Sequence, residues 1–134
     1  MNRRETVEFV NMCMIYDGEK VLVQDRVSTD WPGITFPDGH VERGESFTDA
    51  VIREVKEETG LTISKPQLCG IKDWYDDKDF RYVVLLYKTK HYSCATILRR
   101  RKGLVGRFTK SITSETCNRR HVRYAACFFR GRFK

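Results

Sequence analysis

Between Gly39 and Leu61 the chain places six acidic side chains in 23 positions, 39-GHVERGESFTDAVIREVKEETGL-61. Three of them, Glu54, Glu57 and Glu58, stand three and four residues apart, where a helix sets side chains beside one another and like charges repel. Two chemistries fit that spacing. One is a solvated charged face relieved by Arg53 and Lys56; the other is a carboxylate cluster gathered around a cation. Hard divalent cations want several oxygen ligands, and Mg2+ in particular takes one or two carboxylates, water and substrate phosphates. Arg53 stands next to the acids, where its planar fork can hold a carboxylate in place.

A cluster of this kind needs a rigid element beneath it. Ser46 is a good N-cap, with Asp49 three residues on to complete a capping box. Phe47, Ala50, Val51 and Val55 recur at helical steps, Ile52 widens that face, and Gly60 supplies a left-handed C-cap. The pattern predicts a helix over 47–59, preceded by a long loop, 38–45. At roughly 100° per residue the three glutamates share one arc that borders the apolar stripe, with Glu58 nearest to it.

Upstream, residues 6–16 read as a strand, Asp17-Gly18 as a hairpin turn, 20–26 as the returning strand, and 34–37 as a short strand that Pro37 ends. Downstream, 67–75 and 80–89 read as two strands joined by 76-DDKD-79. The order β-β-β-α-β-β predicts an α+β domain with a mixed sheet rather than a doubly wound fold.

The spacing G-x5-E-x7-R-E-U-x-E-E-x-G-U, with U aliphatic, is filled at all nine specified positions by Gly39, Glu45, Arg53, Glu54, Val55, Glu57, Glu58, Gly60 and Leu61. This resembles the signature of the Nudix hydrolases, of which MutT-like nucleoside triphosphate pyrophosphohydrolases are the best-known branch. The resemblance implies a mixed β-sheet sandwiched by helices (an α/β/α sandwich), and a loop–helix–loop clamp on Mg2+ or Mn2+. By position, Glu54, Glu57 and Glu58 would be metal ligands, Arg53 would orient a carboxylate, and Glu45 would brace the loop. The family cleaves a nucleoside diphosphate linked to another group. The compact MutT-like length leans towards an oxidised purine triphosphate, as in 8-oxo-dGTP diphosphatases, although the box itself does not select a base.

Within the motif's approach the chain departs from the MutT-like proteins it resembles, which commonly show Gly-Gly where it has Asp38-Gly39. The first of that pair tends to offer a backbone carbonyl to the metal. Asp38 keeps the carbonyl and adds bulk and charge beside the site. Trp31, Trp74 and Tyr75 are candidates for stacking on a base, and equally ordinary core or rim aromatics.

The bulk numbers set the frame. A chain of 134 residues is one domain, and no apolar run approaches bilayer length. Five scattered cysteines without a C-x-x-C pair fit reduced thiols and a cytoplasmic setting. The net charge of +7 conceals a change of sign. Residues 1–93 hold 13 Lys/Arg and 17 Asp/Glu, net −4; residues 94–134 hold 12 Lys/Arg and one acid, net +11. The strands and the box account for 1–93. The tail, 94–134, offers no clean amphipathic helix to finish the domain and is expected to be irregular. It admits three readings: an out-of-frame segment, a basic arm for nucleic acid, or an unusual native ending. The first is favoured, because one plausible codon choice turns 98-LRRRKGLVG-106 into Ser-Asp-Glu-Gly-Lys-Val-Trp-Trp on a one-base shift. Nucleic acid enters as a partner only if the tail is native. The alternative function is then a weak or inactive scaffold that binds nucleic acid through that tail.

Overall fold

The computed structural model describes residues 2–18, 20–26, 33–76, 79–94 and 104–109. In chain order the elements are β1 (Val7–Asp17), β2 (Lys20–Arg26), β3 (Gly33–Thr35), β4 (Asp38–His40), α1 (Phe47–Thr59), β5 (Leu61–Ser64), β6 (Gln67–Tyr75), β7 (Arg81–Thr89), β8 (His91–Cys94) and β9 (Leu104–Thr109). The main sheet runs β3-β2-β1-β7-β6, with β4 added to β1 and β9 to β2. It is mixed: β1 and β7 are parallel, and the other pairs are antiparallel. β5 and β8 form a separate two-stranded sheet. The expected α+β class with a mixed sheet and a helix is what the chain adopts.

β1 is the organising strand, and its alternation divides the core. Cys13 and Ile15 face α1, where they meet Val51, Val55, Leu61, Ile63, Leu85 and Tyr87. Met12 and Met14 face the other way, onto Val21, Val23, Ile34, Phe36, Val84 and Leu86. Ala50 and Val51 are fully buried and Val55 nearly so, at roughly 1.5–3 kcal/mol for each valine relative to exposure. Phe47, expected on the same stripe, remains 41% exposed and instead lays its ring 5.0 Å from that of Phe9.

The helix has the predicted limits. Ser46 Oγ accepts the amide of Asp49 at 3.1 Å, and Gly60 adopts φ +70° while its N–H closes on the Lys56 carbonyl. Thr59 Oγ1 donates to Val55 O and accepts from Leu61 N, which steers the chain directly into β5.

Two expectations are corrected. The loop 38–45 contains β4, because Asp38–His40 pair antiparallel with Val10–Met12 of β1, a pairing extended by Cys13 N–H to Pro37 O and Val41 N–H to Phe9 O. The order β-β-β-α-β-β also lacks β5 and β8, four-residue strands that exist by pairing with each other. Within the tail, the backbone of Leu104–Thr109 pairs along β2. The rest of 95–134 lies outside the described residues, and with it any second helical layer of the sandwich. Among the described residues, no helix is long and apolar enough to cross a membrane.

Candidate active site

The site forms where β4 and the loop after it meet α1. Arg53 stands at its centre. Its Nε and Nη2 donate to the two carboxylate oxygens of Glu45, at 2.8 and 3.0 Å. Nη1 donates to Glu54 Oε1 at 2.7 Å and to Glu57 Oε1 at 3.3 Å, and Nη2 also reaches the His40 carbonyl at 2.9 Å. One guanidinium thus ties the end of β4, the loop and two helical carboxylates together, which its fixed fork permits and an ammonium would not. These acids push the Arg53 pKa further up, Glu45 contributing most, so its charge is permanent.

Glu45 is held from both sides. Arg53 and then the Glu42 N–H keep its carboxyl below the usual glutamate range. Gly44, at φ +79°, provides the left-handed residue that the turn Glu42–Glu45 requires.

β4 lies against the helix by way of its glycine. A Cβ on Gly39 would stand 2.0 Å from Glu54 Cδ and 2.3 Å from Glu54 Oε2. The glutamate side chain therefore occupies the space that any other residue would fill. Glu54 is accordingly the most enclosed of the three acids, at 8% exposure, whereas Glu58 is half-buried and Glu57 exposed. The helical wheel, which put Glu58 nearest the apolar side, could not see that β4 covers Glu54. Glu58 Oε2 accepts the Asp38 N–H at 3.0 Å.

Asp38 presents its backbone to α1 and its side chain to the opposite face. It pairs in register with Met12, whose side chain belongs to the far core. On that face lies Tyr82, whose hydroxyl pKa is raised first by burial and then by the charges of Glu8 and Asp38. The bulk that Asp adds at this position thus falls away from the helical acids. His40 Nε2 stands 2.7 Å from Glu8 Oε1 and 3.2 Å from the Tyr82 hydroxyl. Trp74, 38% exposed, stacks on Tyr82 at 5.2 Å and 18°. Tyr75 engages Glu5 and lies under Arg81. Trp31 lies outside the described residues. The structure therefore brings Asp38, Gly39, Glu45, Arg53, Glu54, Glu57 and Glu58 together, and sets Trp74 with Tyr82. The role of the His40 carbonyl carried no signal in the sequence, since any residue supplies one.

The single guanidinium of Arg53 gathers three carboxylates, those of Glu45, Glu54 and Glu57, and the Glu58 carboxylate stands by the Asp38 backbone at the same edge of β4. The donors are all oxygens, which suits a hard cation. Among the described residues no three His, Cys, Asp or Glu side chains close on one point as a metal cage. Mg2+ seldom uses such a cage, binding through one or two carboxylates with water and phosphate completing its shell. The residues fit an open site of that sort.

The family model described as NUDIX domain matches residues 9–126. Over 62 residues the chain is 42% identical to the Nudix hydrolase YvcI of Bacillus subtilis, a span covering 46% of this chain and 38% of that one. It is 39% identical over 59 residues to the ADP-ribose pyrophosphatase of Methanocaldococcus jannaschii, covering 43% and 35% of the two chains. The chain thus covers less than half the length of these relatives. Among solved structures, a NUDIX hydrolase from Nitrosomonas europaea superposes with a TM-score of 0.75 at 20% identity, covering 94% of this chain and 90% of that one. The MutT NUDIX hydrolase of Burkholderia pseudomallei gives 0.68 at 19%, covering 84% and 94%. At these identities the likeness is one of fold.

Proposed function

The chain belongs to the NUDIX domain family, and on that premise we propose that it is a metal-dependent hydrolase that cleaves the diphosphate linkage of a nucleoside diphosphate derivative. The observation that carries this reading is the Arg53 hub, which sets Glu54 and Glu57 on one helix face against Gly39 and Glu45. Glu54, Glu57 and Glu58, with the backbone carbonyl of Asp38, would hold Mg2+ or Mn2+. Such an ion supplies neutralisation of charge at the phosphate oxygens and a lowered pKa for water.

The chain's own groups do the rest. Arg53 fixes Glu54 and Glu57 so that neither must reorganise when a polyphosphate arrives. Glu45 anchors that arginine to the loop. One of the helical carboxylates takes the proton of the attacking water, and Gly39 leaves the space that the Glu54 side chain fills. Trp74, on its Tyr82 platform, offers a face for a base.

For substrate we favour a purine nucleoside triphosphate, oxidised or not, giving the monophosphate and pyrophosphate. Named relatives act on NAD-capped RNA and ADP-ribose, so all three linkages belong in the panel. The test is turnover of that panel with Mg2+ by the chain and by Glu57→Gln, with the products identified. The scattered thiols support a cytoplasmic setting, where Cys13 is buried and its pKa raised by that burial.

Residues 1–93 hold every group named above. For residues 94–134 we propose an out-of-frame origin. A basic arm is the second reading, and the +11 charge favours it. An arm that grips phosphates binds less tightly as salt rises, so affinity for a duplex that does not vary with salt excludes it.

A further inference from the structure

One buried group beside the site has no partner. Asn11 is 1% exposed, yet neither its Nδ2 nor its Oδ1 makes a hydrogen bond. A buried carboxamide left in that state is costly, on the scale of 1–3 kcal/mol per group, and such groups call for an explanation. Its place in the sheet supplies one.

The regular alternation of β1 puts Asn11 on the same face as Cys13 and Ile15, the face that packs on α1. Its parallel neighbour on β7 is Leu85, an apolar residue of that core. Its antiparallel partner is Gly39. Residues directly opposite one another in such a pair project to one face with Cβ atoms about 4.5–5.5 Å apart. The position that a Gly39 Cβ would take is filled by the Glu54 carboxylate, Cδ lying 2.0 Å from it. The Glu54 carboxylate therefore stands over the sheet directly beside Asn11. Its Oε1 is taken by Arg53, whereas its Oε2 is turned towards Gly39. Among the described residues the other buried carboxamide without partners, Gln24, stands opposite Thr35 instead.

We infer that Asn11 is a positioning residue for Glu54: its Nδ2–H group donates to Glu54 Oε2 when the site is loaded, fixing from the sheet side a carboxylate that Arg53 fixes from the helix side. The inference rests on the proposed metal site. Glu54 has one oxygen restrained by Arg53 and the other turned towards Gly39. A cation drawing on that carboxylate needs it oriented, and groups that orient ligands are commonly worth 10–100-fold in metal affinity. An apolar residue at position 11 would suit the core better and would leave Oε2 without support.

The test uses the isosteric pair Asn11→Thr and Asn11→Val in the full chain, both compatible with a central strand. The hydroxyl of the first retains a donor and the second has none. Mn2+ affinity is measured by titration calorimetry, without substrate, for both variants, for Glu54→Gln, and for Asn11→Val combined with Glu54→Gln. We expect Asn11→Val to bind Mn2+ about tenfold more weakly than Asn11→Thr, and to have no further effect once Glu54 is Gln. Thermal unfolding should place Asn11→Val at or above the wild-type midpoint, since it removes two orphaned polar atoms. Equal Mn2+ affinities for the Thr and Val variants overturn the inference while leaving the site intact. Failure of Glu54→Gln to weaken Mn2+ binding overturns the proposed site itself.

Discussion

Arg53 holds Glu45 through two hydrogen bonds, Nε to Oε2 at 2.8 Å and Nη2 to Oε1 at 3.0 Å, and this pair joins a loop to a helix eight residues later in the chain. The two-point geometry is what a planar guanidinium provides. Replacing Arg53 by Lys keeps the charge and loses the fork, so Glu45 and the two helical glutamates can no longer be held at once. The expected result is a fall in kcat of about 10–100-fold, with KM for the nucleotide changed less. Steady-state kinetics of Arg53→Lys beside wild type decides it; unchanged kcat would show that charge alone suffices.

The same pair predicts a dependence of stability on pH. Glu45 is held below its ordinary value near 4.5 by Arg53 and then by the Glu42 amide. A carboxyl whose folded pKa is depressed stabilises fully above its unfolded pKa, and loses that contribution as pH falls through the folded value. Wild type should therefore lose stability faster than Glu45→Gln as pH drops below about 4.5. Urea midpoints at a series of pH values check this, and parallel curves would remove the pair from the acid response.

Gly39 offers a steric test. An added methyl would lie 2.0–2.4 Å from Glu54 Cδ, Oε2 and Cγ, far inside contact distance, and Arg53 restrains the direction in which that side chain can retreat. Gly39→Ala should destabilise by roughly 1–3 kcal/mol and lower turnover at least about tenfold, since it displaces a proposed ligand. Denaturant unfolding and turnover are read together. Normal activity in this variant would mean that Glu54 need not sit where it does.

How much of this was legible beforehand depended on locality. Helix 47–59 was, because Ser46, the Ala50/Val51/Val55 steps and Gly60 each act within a few residues of themselves. The long strands were legible for the same reason. β4, β5 and β8 were not: each is three or four residues long and forms only because a distant segment offers its edge. The acids of the site could be named, but not their unequal burial, since what covers Glu54 is a glycine on another strand. Asn11 did leave a trace, as a lone amide within the apolar run 9-FVNMCMIY-16.

The core under the helix makes the fourth prediction. Val51 is fully buried against the β1 face that bears Cys13 and Ile15. Val51→Ala removes about two methylene equivalents and should cost roughly 2 kcal/mol. Because the Val51 side chain has no group that could hold a metal or a phosphate, kcat below the unfolding midpoint should remain within about twofold of wild type. A loss of kcat without loss of stability would place Val51 in the site rather than beneath it.

The central claim is that the helical glutamates make a metal-dependent hydrolase, and Glu57 tests it most directly because it is exposed and its removal leaves the core untouched. Wild type and Glu57→Gln are incubated with Mg2+ and a panel of purine triphosphates, ADP-ribose and NAD-capped RNA, and the released products are identified. The expected result is cleavage of a diphosphate linkage by wild type, its abolition by chelation and recovery with Mg2+ or Mn2+, and a rate for Glu57→Gln lower by at least about 100-fold. Equal turnover by the two proteins, or turnover that survives chelation, would contradict it.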